Sequence, residues 1–125
     1  MKDYRFTFFL NDKLGFQLRR IADFLVGEGK DLKRFSFYIF DNPEERRQFY
    51  LVSNYHEEGR LIPSEKGADF LLIVNDALSE NRRKDLISRI QKIPQVIAAY
   101  DIPKGKANNL ETIFEEIELH LIPLQ

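Results

Sequence analysis

Apolar residues recur along the chain with two different periods, and these periods predict its secondary structure. A period of two predicts five strands, over residues 5–10, 34–40, 48–54, 68–74 and 96–102. The fourth strand is apolar on both sides after Asp69, whereas a strand with one face in water keeps a polar residue at every second position. We therefore expect residues 68–74 to form a central strand of the sheet, with both of its faces covered.

A helical period of about 3.6 residues predicts three amphipathic helices. The first follows the strand of residues 5–10 and has its apolar side at Leu14, Leu18, Ile21 and Leu25. Ser79 can cap the second helix, which ends before Pro94. The third begins at Asn108, where Glu111 follows three residues later as in a capping box.

The order of these elements is strand, helix, three strands, helix, strand, helix, which predicts an α+β fold in a single domain of residues 1–125. The simplest packing is a ferredoxin-like split βαβ two-layer sandwich with an extra strand, a C-terminal third helix and a mostly antiparallel sheet. Residues 34–40 and 48–54 form a hairpin in it. The third helix, a second copy of the chain or a ligand can cover the second face of the sheet.

Composition narrows the classes of partner and compartment. The 19 basic and 20 acidic residues nearly cancel, so the chain as a whole attracts neither nucleic acid nor an anionic membrane. Cysteine is absent, which removes disulfides, thiolate catalysis and Cys-ligated zinc. The apolar run near the N-terminus is too short for a signal sequence or a membrane span. We expect a cytoplasmic protein that does not bind membranes.

Residues 62–70, IPSEKGADF, resemble the signature of the IPExxxVDY family of small bacterial proteins. Ile62, Pro63 and Asp69 match that signature. At three other positions Glu, Val and Tyr of the signature are replaced by Ser64, Ala68 and Phe70. The resemblance implies a cytoplasmic bacterial protein, and it implies no activity, ligand or catalytic residue.

Asp69 is the most specific single candidate residue, because it heads an otherwise apolar strand face and belongs to this motif. In a functional interpretation, its carboxylate is a hydrogen-bond acceptor or a base at the mouth of a pocket. In a structural interpretation, which we prefer, it lies at the end of the sheet and accepts bonds from the turn amides of residues 64–67 or pairs with Arg60.

The predicted second helix carries a candidate anion-binding or partner-binding surface, formed by Arg82, Arg83, Lys84, Arg89 and Lys92. Cations in the first turn of a helix oppose its dipole, and such violations of a local rule sometimes mark function. The same residues are also typical of a solvated face on which Glu80 and Asp85 relieve the positive charge.

Two weaker patterns complete the candidates. Residues 33–40, KRFSFYIF, are similar to an RNA-recognition consensus, but Arg34 replaces its glycine, and a strand rich in phenylalanine is more typical of a core. His56 stands beside two glutamates in a polar loop but has no second histidine within ligand spacing, and His120 lies at the end of a predicted helix, so no metal site is predicted. No catalytic motif is found.

We therefore predict a domain that is not an enzyme and needs no cofactor: a binding or adaptor domain that forms a homodimer or docks a macromolecular partner. An alternative follows from residues 86–100, which resemble the second half of ACT and related regulatory domains and imply a small-molecule sensor with a pocket near Asp69. A third is an RNA or ribonucleoprotein partner that uses the basic helix.

Overall fold

The computed structural model describes residues 1–56, 59–62, 67–75, 78–102, 115–117, 119 and 121. Its helices and strands are α1 (Asp3–Leu14), β1 (Arg19–Val26), β2 (Lys33–Asn42), β3 (Arg47–Ser53), β4 (Tyr55–His56), β5 (Gly59–Arg60), β6 (Phe70–Val74) and α2 (Glu80–Gln91). A 3₁₀ turn lies between β1 and β2, and residues 115–117, 119 and 121 are helical. The predicted start of the third helix at Asn108 lies outside the described residues.

Four strands form an antiparallel sheet in the order β1-β2-β3-β6, and β4 pairs with β5 in a small separate hairpin. The predicted α+β class, the antiparallel sheet and the hairpin of β2 and β3 are confirmed. Among the described strands β6 pairs with β3 alone, so the prediction that it is central is wrong. Its faces are nevertheless both covered, because Leu71 and Leu72 pack against apolar clusters on opposite sides of the sheet.

The predicted strand of residues 5–10 is wrong, because these residues belong to α1. Phe6, Phe8 and Leu10 alternate as in a strand, but Phe6, Leu10 and Leu14 also recur every four residues, which places them on one side of a helix. Gly15 then adopts the left-handed conformation, with φ of 71°, that commonly ends a helix. A short apolar run is compatible with both periods, and here the helical period is the correct one.

The predicted helix over Leu14 to Leu25 is also wrong, because most of this segment forms β1. Ile21 lies opposite Phe37, and Phe24 lies opposite Phe35, so β1 inserts one extra residue against β2. This β-bulge changes the apolar spacing from two residues to three and keeps both side chains on the same face. The predicted helical stripe is divided by the sheet, because Leu18 belongs to the cluster on one face whereas Ile21 packs against the cluster on the other.

The ferredoxin-like topology is not confirmed. Its βαβ unit needs a helix between the first two strands, whereas α1 precedes β1, and β1, β2, β3 and β6 are consecutive neighbours in the sheet. The β4–β5 hairpin is inserted between β3 and β6. The described strands therefore form an antiparallel meander.

The predicted helix α2 is confirmed, but the strand predicted over residues 96–102 is wrong. Ser79 Oγ accepts a hydrogen bond from the Arg82 amide and caps α2. Residues 96–102 form no strand; Gln91 Nε2 donates a 2.8 Å hydrogen bond to Ala99 O. The chain there is thus held against α2 by a side chain instead of a ladder of backbone bonds.

Each face of the sheet has its own apolar cluster. On one face α1 and α2 contribute to the cluster of Phe6, Leu10, Phe16, Leu18, Tyr38, Phe40, Phe49, Leu51, Leu86, Ile90 and Ile93. On the other face lies the cluster of Phe24, Phe35, Phe37, Tyr50, Val52, Leu61, Ile62, Leu71, Ile117 and Leu121. Of the three covers considered for this second face, the described residues show the C-terminal helical segment, through Ile117 and Leu121.

Candidate functional site

Arg82, the first of the predicted cations on α2, is engaged in a structural ion pair. Its guanidinium binds the Glu45 carboxylate with an Nη2–Oε1 distance of 2.8 Å and an Nε–Oε2 distance of 3.2 Å. This hydrogen bonding lowers the pKa of Glu45 and raises that of Arg82. The pair joins α2 to the turn between β2 and β3, and the first-turn amide of Arg82 is already bonded to Ser79.

Two more of the five cations are also paired with carboxylates. Arg83 Nε lies 3.1 Å from Asp101 Oδ2, and Lys84 Nζ lies 3.0 Å from Glu80 Oε1. The other two cations of the predicted set are exposed, and they are Arg89 and Lys92. The surface of α2 therefore has mixed charge, which agrees with the interpretation of a solvated face. The partners of Arg82 and Arg83, however, lie outside the helix.

Asp69 and Arg60 are brought together as predicted. Arg60 Nη1 lies 3.6 Å from Asp69 Oδ1, and the guanidinium carbon lies 5.1 Å from the centre of the Tyr55 ring. The side chain of Asp69 is 66% exposed, so it is not a buried acceptor. Its proposed bonds to the turn lie largely outside the described residues, which omit residues 63–66. Because solvent reaches the Asp69 carboxylate, the pair is screened and contributes about 0–1 kcal/mol to stability.

The aromatic residues of the RNA-recognition pattern lie in the two cores. Phe35, Phe37 and Phe40 are buried in β2, and they contact other rings and aliphatic side chains on both faces of the sheet. Their faces are not available for stacking with nucleobases. The interpretation of residues 33–40 as a core strand is confirmed.

Asn54 is the polar residue that sequence reasoning missed. It is fully buried, and its side chain accepts a bond from Ile62 N at 2.7 Å and donates one to Ala68 O at 2.9 Å. Its backbone amide donates a hydrogen bond to Asp69 O, and its backbone carbonyl accepts one from Leu61 N. One side chain thereby joins the end of β3 to both segments that flank the motif turn. The signal in the sequence is a single asparagine that ends the apolar run of β3.

Large exposed aromatic residues occur on α1. Tyr4 and Phe8 are 67% and 62% exposed, whereas Phe6 and Leu10 on the opposite side of the helix are buried. Residues four apart lie on one line along a helix, so Tyr4, Phe8 and Asp12 share a stripe, and Arg5 lies beside it. We call Tyr4, Arg5, Phe8 and Asp12 the outer face of α1. No sequence prediction identified it, because residues 5–10 were assigned to a strand.

The inner side of α1 is anchored by polar contacts as well as by the core. Asp3 Oδ2 accepts bonds from Tyr38 Oη at 2.9 Å and from Arg20 Nη1 at 3.2 Å. Near the other end of the helix, Asn11 Oδ1 accepts from Leu18 N at 3.0 Å, and Asn11 Nδ2 donates to Leu18 O. These bonds fix the rotation of α1 and therefore which residues it presents to solvent.

We expect Asp3→Asn to remove an acid-sensitive part of the stability. Burial raises the pKa of the Asp3 carboxyl, but hydrogen bonds, with that from Tyr38 first among them, and the charge of Arg20 outweigh burial and hold the pKa below its usual 3.8. A depressed folded-state pKa stabilises the protein above the unfolded value, and the gain is lost as pH falls through the folded value. The variant should be less stable by about 1–3 kcal/mol near pH 6, and this difference should shrink below about pH 4.

Urea denaturation of both proteins between about pH 3 and pH 7 measures this difference. Asp41→Asn at an exposed position of β2 is the matched control, and its stability should follow that of the unchanged protein throughout this range. A deficit in Asp3→Asn that is the same at every pH would show that the charge of Asp3 contributes nothing.

Comparison with known proteins finds no match: no family model fits the chain, and neither a curated protein nor a solved structure is similar to it. The resemblance to the IPExxxVDY family thus rests on the sequence motif. Within the described ranges no helix has the length and apolarity needed to cross a membrane, and no three His, Asp or Glu side chains are grouped as metal ligands. The side chain of His56 and residue His120 lie outside that description.

Proposed function

We propose that the protein is a non-enzymatic binding domain that associates with a protein partner through the outer face of α1. The observation that carries this proposal is the exposure of Tyr4 and Phe8 on α1. Hydrogen bonds on the opposite side of this helix fix its rotation. Aromatic side chains supply large contact areas with few rotatable bonds, and they are enriched in protein interfaces. Membership of the IPExxxVDY family and a location in the cytoplasm, both implied by the motif, are part of the proposal.

The other two candidate functions have less support from the described residues. A small-molecule sensor of ACT type needs a pocket near Asp69, but this residue is exposed, and it lines neither the cavity beside Phe24 nor the cavity beside Phe16. An RNA partner needs free cations or accessible rings on β2 and α2. There Phe35 and Phe37 are buried and Arg82 is bonded to Glu45, which leaves Arg89 and Lys92 as exposed cations of the predicted set.

Site-specific photocrosslinking in the cells that make the protein tests the proposal. Phe8 is replaced by p-benzoylphenylalanine, which keeps an aromatic ring at the centre of the outer face, and the adducts are identified by mass spectrometry. The matched control carries the same group at Arg89, an exposed residue of α2. We expect a defined protein adduct from position 8 and none from position 89. No adduct at position 8, or the same adducts at both positions, would overturn the proposal.

A further inference from the structure

We infer that the occupant of the outer face of α1 is a second copy of this chain, whose own α1 packs antiparallel to the first across a two-fold axis near Phe8. This inference rests on the proposed function and names its partner. In a two-fold interface both copies use the same surface patch, so that patch must be complementary to itself. The outer face of α1 meets this requirement in one orientation only.

The orientation follows from the positions of two charges. Arg5 lies near the start of α1 and Asp12 near its end, with Phe8 between them. When two copies pack antiparallel about Phe8, Arg5 of each copy faces Asp12 of the other, and the symmetry creates two ion pairs at once. A parallel arrangement would instead place Arg5 against Arg5 and Asp12 against Asp12, and like charges that face each other oppose association.

Contacts within one copy leave these groups available to a partner. The guanidinium carbon of Arg5 lies 5.8 Å from the centre of the Phe9 ring, which keeps the cation beside the stripe. Asp12 lies 3.6 Å from Lys13, and the side chains of both residues are more than half exposed. Their surroundings are solvent, so Asp12 can exchange this neighbour for Arg5 of a second copy at small cost.

The size of the surface indicates a dimer of low affinity. The 12 residues of α1 span about 18 Å, at about 1.5 Å per residue. A contact between two such helices buries less than the roughly 800 Å² per partner that stable complexes bury. The dimer is therefore expected to dissociate on dilution, and the electrostatic pairs, more than buried area, should determine its orientation.

Charge exchange between the two ends of the helix tests the antiparallel pairing. Sedimentation equilibrium of the full chain over a wide range of concentration gives the dissociation constant. Arg5→Asp leaves acidic residues at both ends of the stripe, and Asp12→Arg leaves basic residues at both ends. Each single variant should weaken self-association by about tenfold or more. An equimolar mixture of the two should associate again, because each variant then faces the opposite charge.

The double exchange Arg5→Asp with Asp12→Arg should also restore the dissociation constant to near its original value. Both single changes are compatible with the helix dipole, since one adds an acidic residue near the start of α1 and the other adds a basic residue near its end. Equal denaturation midpoints would confirm that each variant folds. A chain that stays monomeric up to millimolar concentration, or a dimer that neither variant weakens, would overturn the inference. If position 8 then still crosslinks a different protein, the proposed function stands without the second copy, and if it crosslinks nothing, both fail.

Discussion

Asn54→Leu is expected to lower the free energy of unfolding by about 2–5 kcal/mol. Leucine has the same number and branching of side-chain heavy atoms as asparagine but larger methyl groups, so the change removes hydrogen bonds and also crowds a fully buried site. The Ile62 amide then loses its partner in a buried position, and the Ala68 carbonyl loses its partner in a partly buried one. An unpaired buried group of this kind costs about 1–3 kcal/mol. A domain of this size is stable by only about 5–15 kcal/mol, so the loss is a large fraction of the total.

Chemical denaturation followed by circular dichroism measures this loss, and Asn81→Leu provides the matched control. Asn81 is exposed on α2, so the same substitution there should change stability by less than about 0.5 kcal/mol. The effect at position 54 should also be local. Hydrogen exchange should accelerate first at Ile62, because its amide loses the bond to the side chain. Equal midpoints for the two variants would show that the buried network does not stabilise the fold.

A segment was predicted correctly where its apolar residues indicated a single type of secondary structure from end to end. Strands β2, β3 and β6 were predicted to within about two residues of their observed bounds, since each is a short, uninterrupted run of mostly apolar and aromatic residues. Helix α2 was predicted because its cap at Ser79 and its apolar spacing agree with each other. Local signals that support the same element leave little room for an alternative.

Two of the errors lie near the N-terminus, where the period of the apolar residues is ambiguous. Leu18 and Ile21 have the spacing of one side of a helix, yet they pack on opposite faces of the sheet, and the bulge that follows Ile21 can be recognised only from the partner strand. The apolar run of α1 is similarly compatible with both periods, so the two errors exchanged a helix and a strand. Because this exchange predicted a helix after the first strand, it also produced the ferredoxin-like topology.

For the candidate residues, too, the sequence predicted local partners and missed distant ones. The pairing of Arg60 with Asp69 was predictable, because a motif placed them near one turn. The partners of Arg82 and Arg83 were not, since Glu45 and Asp101 come from distant segments that only the tertiary fold brings close. The outer face of α1 was hidden by the wrong assignment of its secondary structure. A pattern of side chains identifies a surface only after the element that carries it is known.

Phe37→Ala is expected to lower the free energy of unfolding by about 3–5 kcal/mol, whereas Phe8→Ala should change it by less than about 0.5 kcal/mol. Phe37 is fully buried in β2, with its ring centre 6.1 Å from that of Phe24 and 5.9 Å from that of Tyr50. Truncation there removes buried apolar surface and leaves a cavity that the neighbouring strands can fill only in part. Phe8 is 62% exposed, so its truncation exposes little new surface.

These two variants separate the fold from the proposed association, because the same substitution is made once at a buried ring of the core and once at an exposed ring of α1. Phe37→Ala should shift the denaturation midpoint strongly. Phe8→Ala should keep the midpoint and raise the dissociation constant of the dimer, since it removes the ring at the centre of the outer face of α1. A large loss of stability from Phe8→Ala would mean that this ring supports the fold instead of an interface. A small loss from Phe37→Ala would contradict the placement of β2 between the two cores.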